Sequence, residues 1–232
     1  MKKPGTFDTN LFDGWSRELA YLIGATITDG CIESADYQSN GHLYRHRVVS
    51  WQVADRDWLE TLRQVMSATR GIETCYRKHG TYYRLRVQGQ DIVDAFARFG
   101  VLPRKSMVKV LPADLPDEHF YHFLRGVIDG DGSIMVRAGG KGYRPDHKRL
   151  VVSIASGSEA FLSAIMGRVG GSLVYQSQEG HASWRLTLHC TQAASLLQRV
   201  YADSDMLRLE RKYRKWSDFC ASGGERYLRA VA

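Results

Sequence analysis

Asp29 and Asp131 each end an apolar run and are followed at once by glycine. The first run, from Leu19, reads LAYLIGATITDG; the second, from Phe123, reads FLRGVIDGDGS. Taken singly, each acid is a turn residue in TDG or GDG. As a pair at two helix C-terminal ends, their carboxylates repel each other and the negative ends of the helix dipoles. A divalent cation relieves that repulsion, and Mg²⁺ favours one or two carboxylates completed by phosphate oxygens. The chemistry open to such a pair is the holding of a divalent metal ion against a substrate phosphate.

The pairing depends on elements that bring two distant residues together, and the sequence supplies them by duplication. The acids are 131 − 29 = 102 residues apart. VVSWQVADRDWL from Val48 matches VVSIASGSEAFL from Val151, 103 apart, and YRLRV from Tyr83 matches WRLTL from Trp184, 101 apart. LPRKS around Lys105 matches LERKY around Lys212, 107 apart. Four matches in one order imply an internal repeat. Each half reads helix, strand pair, helix, strand pair, helix, from apolar spacing and two-residue alternation. This gives an α+β chain of two αββαββα repeats, residues 1–110 and 111–232, with LPADLPDEH between them. Gly24 and Thr28 share one face of the first helix, and Gly126 and Gly130 share the matching face of the second. Small residues at that spacing let two helix backbones approach closely. The predicted packing brings the Asp29 and Asp131 ends together.

The chain has 232 residues, is 44% hydrophobic and carries a net charge of +7, which suits a polyanionic partner. Its four cysteines, Cys31, Cys75, Cys190 and Cys220, are scattered without zinc spacing and read as reduced thiols. No apolar run reaches a membrane span and the N-terminus lacks a signal-peptide pattern, so a soluble intracellular protein is expected.

At the two Asp-Gly segments the chain resembles the LAGLIDADG homing endonucleases. LRGVIDGDG fits the nine-residue motif closely; LIGATITDG fits more loosely, with Ile27 and Thr28 where the motif has Asp and Ala. The resemblance covers nearly the whole chain and points to the single-chain, pseudo-symmetric members. It implies a saddle of antiparallel sheets facing double-stranded DNA, and cleavage of both strands of a long, pseudo-palindromic target. The implied metal is Mg²⁺, with Mn²⁺ or Ca²⁺ able to occupy the site. The motif's metal-binding acid falls on Asp29 and Asp131. Asp129, at the sixth motif position, is read as a structural polar residue. Lys105 and Lys212 are the implied basic catalytic residues, with Lys109 and Lys215 as nearby substitutes.

In that saddle, alternation assigns the DNA face. Glu33, Tyr44, His46, Ser50, Gln52, Arg84, Arg86 and Gln88 are expected there in the first half. Ser133, Met135, Arg137, Ser153, Arg185, Thr187 and His189 are expected in the second, with the basic loop RAGGKGYRPDHKR as a phosphate-contacting tip. Arg suits guanine and Gln suits adenine. A monomer with an internal pseudo-twofold axis is expected. The same fold also leaves open an intron-RNA maturase or a DNA-binding regulator that does not cut; two retained acids argue against the regulator.

Overall fold

The computed structural model describes residues 6–78, 80–103, 107–138, 148–178, 181–204 and 207–223. The first half runs α1 (Arg17–Asp29), β1 (Gly30–Ser39), β2 (His42–Val53), α2 (Arg56–Val65), β3 (Glu73–Arg77), β4 (Gly80–Gln88) and α3 (Gln90–Arg98). The second runs α4 (Phe120–Asp131), β5 (Gly132–Ala138), β6 (Lys148–Ser156), α5 (Glu159–Val169), β7 (Ser172–Gln178), β8 (His181–His189) and α6 (Cys190–Tyr201). One helix beyond the repeat, α7 (Glu210–Ala221), follows. Each half holds one four-stranded antiparallel sheet, in the orders β1-β2-β4-β3 and β5-β6-β8-β7. The fold is α+β with two like repeats, as the sequence predicts.

α1 begins where the Ser16 hydroxyl caps the Leu19 N–H. Both α1 and α4 end on the acid, and the chain turns directly into a strand. That turn requires glycine. A Cβ on Gly30 would stand 2.6 Å from the Thr26 carbonyl oxygen, and one on Gly132 would stand 2.7 Å from the Ile128 Cα. The Asp-Gly pair therefore places each carboxylate one residue before the first strand of its sheet.

α1 and α4 cross through the predicted small faces. A Cβ on Gly24 would collide with the Phe123 carbonyl and stand 3.1 Å from the Val127 nitrogen. A Cβ on Gly126 would collide with the Tyr21 carbonyl and stand 2.6 Å from the Ala25 nitrogen. These contacts exchange under the repeat: 126 − 24, 123 − 21 and 127 − 25 all equal 102. Such self-complementary exchange is the signature of a twofold interface, here within one chain. A Cβ on Gly130 would collide with Thr28, whose hydroxyl donates back to the Gly24 and Ala25 carbonyls.

Around this pair the core is continuous. It takes Leu19, Leu22 and Ile23 from α1, Phe123, Leu124 and Val127 from α4, and the inner sheet faces through Trp51, Leu85, Ile154 and Leu186. Burying one such side chain stabilises by roughly 1.5–3 kcal/mol.

Candidate active site

Asp131 is half-buried, and its Oδ2 accepts a 2.8 Å bond from the Lys109 ammonium. Lys109 is 7% exposed. Its backbone is fixed as well: Ser158, the N-cap of α5, donates its hydroxyl to the Lys109 carbonyl at 2.7 Å. The side chain is thus delivered to Asp131 from an anchored backbone. Across the helix pair, Asp29 Oδ2 lies 3.5 Å from where a Gly130 Cβ would stand, beside the end of α4. Asp29 closes α1 and Asp131 closes α4, so both acids stand where the C-terminal ends of the two crossed helices come together.

Lys212, near the start of α7, is 5% exposed. Its ammonium donates to three α4 carbonyls: Ile128 at 2.8 Å, Asp129 at 2.7 Å and Gly130 at 2.9 Å. The Ile128 carbonyl also accepts from the Gly132 N–H; the carbonyls lie in the last turn of α4, and a cation there opposes the dipole. Burial pushes the Lys212 pKa down to about 8, while Asp129, Asp29 and Asp131 hold it up. Lys105 lies outside the described residues. Lys109 and Lys212 are 103 apart, the spacing of the Val48 and Val151 segments. Lys215 donates to the Ile134 carbonyl.

Asp129 is 1% exposed. It accepts from Tyr21 at 2.9 Å, from Tyr201 at 3.2 Å and from the Leu209 N–H at 2.8 Å. Trp58 in turn donates to the Tyr21 hydroxyl at 2.6 Å. Burial outweighs these bonds and raises the Asp129 pKa to about 6. The residue ties α1 and α2 of the first half to α6 and the start of α7, which carries Lys212.

Strand register places the predicted face residues on common sides. Ser50 pairs with Arg86, Gln52 with Arg84 and Val48 with Gln88 across β2 and β4. Across β1 and β2, Glu33 pairs with Val48, Ala35 with His46 and Tyr37 with Tyr44. Glu33, Tyr44, His46, Ser50, Gln52, Arg84, Arg86 and Gln88 therefore share the face opposite Ile32, Val49, Trp51, Leu85 and Val87. In the second sheet Ser133 pairs with Ser153, Met135 with Val151 and Arg137 with Arg149. Thr187 pairs with Ser153, His189 with Val151 and Arg185 with Ala155.

One feature departs from simple alternation. Ser50 and Ser153 lie on the polar faces but are 9% and 3% exposed, as short side chains on the inner strands β2 and β6. Sequence reading also passed over Glu73, Arg77, Tyr37 and Gln176, which register puts on the same faces, as it does Arg149, the last residue of the predicted basic loop. The loop tip 139–147 lies outside the described residues. A cleft of about 720 Å³ between α2 and the start of α7, lined by Asp55, Trp58 and Arg211, includes neither acid. Among the described residues no helix is long and apolar enough to cross a membrane.

No family model matches the sequence, and no curated protein does. Solved structures do. The LAGLIDADG homing endonuclease I-GzeII, in complex with its DNA target, superposes with a TM-score of 0.60 at 10% identity, covering 94% of this chain and 96% of that one. This is the LAGLIDADG homing endonuclease fold. I-LtrWI, a LAGLIDADG homing endonuclease bound to target DNA, gives 0.61 at 9% identity over 97% of this chain and 96% of its own. I-SmaMI bound to uncleaved DNA in the presence of calcium ions gives 0.58 at 10% identity over 94% of each chain. At such identities the likeness is one of fold, and within the LAGLIDADG fold the motif helices are α1 and α4.

Proposed function

We propose that this protein is a site-specific DNA endonuclease that cuts both strands of a long, pseudo-palindromic duplex with a divalent metal ion, acting as a monomer of two repeats, residues 1–110 and 111–232. The observation that carries this reading is the convergence of Asp29 and Asp131 at two helix ends locked by backbone contact, each at the root of a sheet with one polar, arginine-bearing face. The DNA-bound structures sharing this fold support the same partner.

The donor set fits a hard divalent cation such as Mg²⁺. Two carboxylates converge on negative helix ends, and among the described residues no cluster of three or more acidic, His or Cys side chains offers a different site. Asp29 and Asp131 would hold the ion, leaving its other positions to water and phosphate oxygens. Bound there, the ion supplies Lewis acidity and lowers the pKa of water. The protein's own part is positional. Lys109 orients Asp131 through Oδ2 and brings a positive charge to where a phosphate would gain negative charge. Lys212 holds the last turn of α4 in place. The polar sheet faces would fix register and read bases in the major groove.

The test is cleavage of a plasmid library with randomised inserts, with Mg²⁺, by the parent protein and by Asp29→Asn and Asp131→Asn. Double-strand cutting should occur with the parent and disappear in each variant while folding and DNA binding persist. Full cutting by either variant refutes the site; no cutting and no duplex binding by the parent refutes the function.

A further inference from the structure

Glu73 is shared by three arginines. Its Oε1 accepts from Arg70 at 2.9 Å and from Arg86 at 2.9 Å. Its Oε2 accepts from Arg84 twice, at 3.2 Å through Nε and at 2.9 Å through Nη2. Arg86, with Arg70 and Arg84 behind it, holds the Glu73 pKa down to about 2. Arg70 also reaches toward Gln88, and Arg77 donates to Gln52. On this face the long polar side chains are cross-linked to one another.

Among the described residues no such hub appears in the second sheet. Its matching pair has Val174 opposite Arg185, where the first sheet has Glu73 opposite Arg84. Both offsets, 174 − 73 and 185 − 84, equal 101. Arg185 bonds instead to the neutral Gln176 at 2.8 Å, and Val174 is 53% exposed.

We infer that Glu73 is a positioning residue that sets base specificity in the first half-site, by holding Arg84 and Arg86 in fixed orientations before DNA arrives. A guanidinium has five N–H donors in a rigid fork. Glu73 takes two from Arg84 and one from Arg86, so donors remain for a base edge. Fixing a long side chain in advance removes ordering entropy from the binding step, which sharpens discrimination. Glu73 also cancels part of the positive charge that would otherwise hold any phosphate backbone. The second half-site, read through the less constrained Arg185, is the more permissive one. The inference rests on the DNA-reading function proposed above.

The experiment selects bound duplexes from a randomised double-stranded DNA library and then measures single-base variants of the winner over a salt series. The proteins are the parent, Glu73→Gln and Val174→Glu, with thermal melting as a control on folding. Glu73→Gln keeps the shape and removes the charge. Discrimination at the base pairs under Arg84 and Arg86 should fall about tenfold, within the usual worth of a bidentate contact. Affinity for unselected DNA should rise several-fold with a salt slope steeper by about one unit. Val174→Glu, at an exposed position, should sharpen discrimination under Arg185 severalfold. Equal gains of Glu73→Gln on all sequences, with base preference unchanged, would reduce Glu73 to a charge neutraliser and overturn the inference while leaving the DNA reading intact. If Glu73→Gln fails to fold, Val174→Glu decides: unchanged preference in the second half-site overturns it. A parent that selects no sequence defeats the function proposed above, independently of the role of Glu73.

Discussion

Replacing Gly126 by alanine separates a structural need for glycine from mere tolerance of it. In a helix interior alanine is favoured over glycine by about 1 kcal/mol. If nothing opposed Gly126, Gly126→Ala would therefore stabilise the protein. The structure predicts the opposite sign. The new methyl would stand 2.6 Å from the Ala25 nitrogen and collide with the Tyr21 carbonyl. Both obstacles are backbone atoms of a buried helix and cannot rotate away. Relief requires α1 and α4 to separate by the order of 1 Å, and a gap of that size forfeits a quarter to a half of each dispersion contact across the seam. With the overpacking cost of about 1–3 kcal/mol as a floor, the net loss is expected near 3 kcal/mol. For a chain of this size that lowers Tm by roughly 6–12 °C. Gly167 provides the internal control, because it lies within α5 and its Cβ would meet nothing within 4 Å. Gly167→Ala should raise Tm by roughly 2–4 °C. Thermal melts of the two variants read the result directly. A Gly126→Ala protein that melts with or above the parent refutes the packing argument, and the convergence of Asp29 and Asp131 with it.

Lys109→Met should abolish cleavage with little change in stability, since Asp131 remains half-exposed and can be hydrated. Lys212→Met should cost about 1–3 kcal/mol, because it leaves the buried Asp129 carbonyl without its ammonium donor and removes a bond from those of Ile128 and Gly130; urea unfolding of both variants, beside a cleavage assay, would expose an error if their effects were interchanged. For Asp129, the folded pKa of about 6 lies above the unfolded value of 3.8, so the native state binds its proton more tightly. Its contribution to stability is greatest below pH 3.8 and declines by about 3 kcal/mol as pH rises to about 6. The stability difference between parent and Asp129→Asn, followed by urea midpoints over that range, should show this decline; a difference flat in pH counts against it.

Much of the fold was legible because its signals are local and doubled. An Asp-Gly pair ending an apolar run, small residues four apart and strands alternating about Trp51 and Leu85 each recur near one offset. The first sheet's inner face follows from Val49, Trp51, Leu85 and Val87 alone. The lysine at Asp131 was harder to find. Matching LPRKS with LERKY by residue type selects Lys105, 107 before Lys212, whereas the offset of 103 that relates Val48 to Val151 leads to Lys109. Glu73 was not legible at all. Its role needs the register that sets it opposite Arg84, and alternation within β4 says nothing about which residue of β3 lies across from it.

The two halves stay alike where backbone touches backbone and diverge where side chains meet other side chains. Gly24 and Gly126 cannot differ, because each makes room for the carbonyl at the other's matching contact. Ile27 and Asp129 occupy the same motif position, yet one is core and the other a buried hub. Glu73 and Val174 share a register position and differ in the same way. Close contact between two helices leaves no tolerance, so a duplicated seam keeps its symmetry. On the proposed function, faces that would each read their own stretch of duplex gain nothing from matching. Lys109 and Lys212 extend this divergence to the site itself, one bound to a carboxylate and the other to helix carbonyls. The halves therefore share one scaffold, while each strand of a bound duplex would meet a different chemical environment.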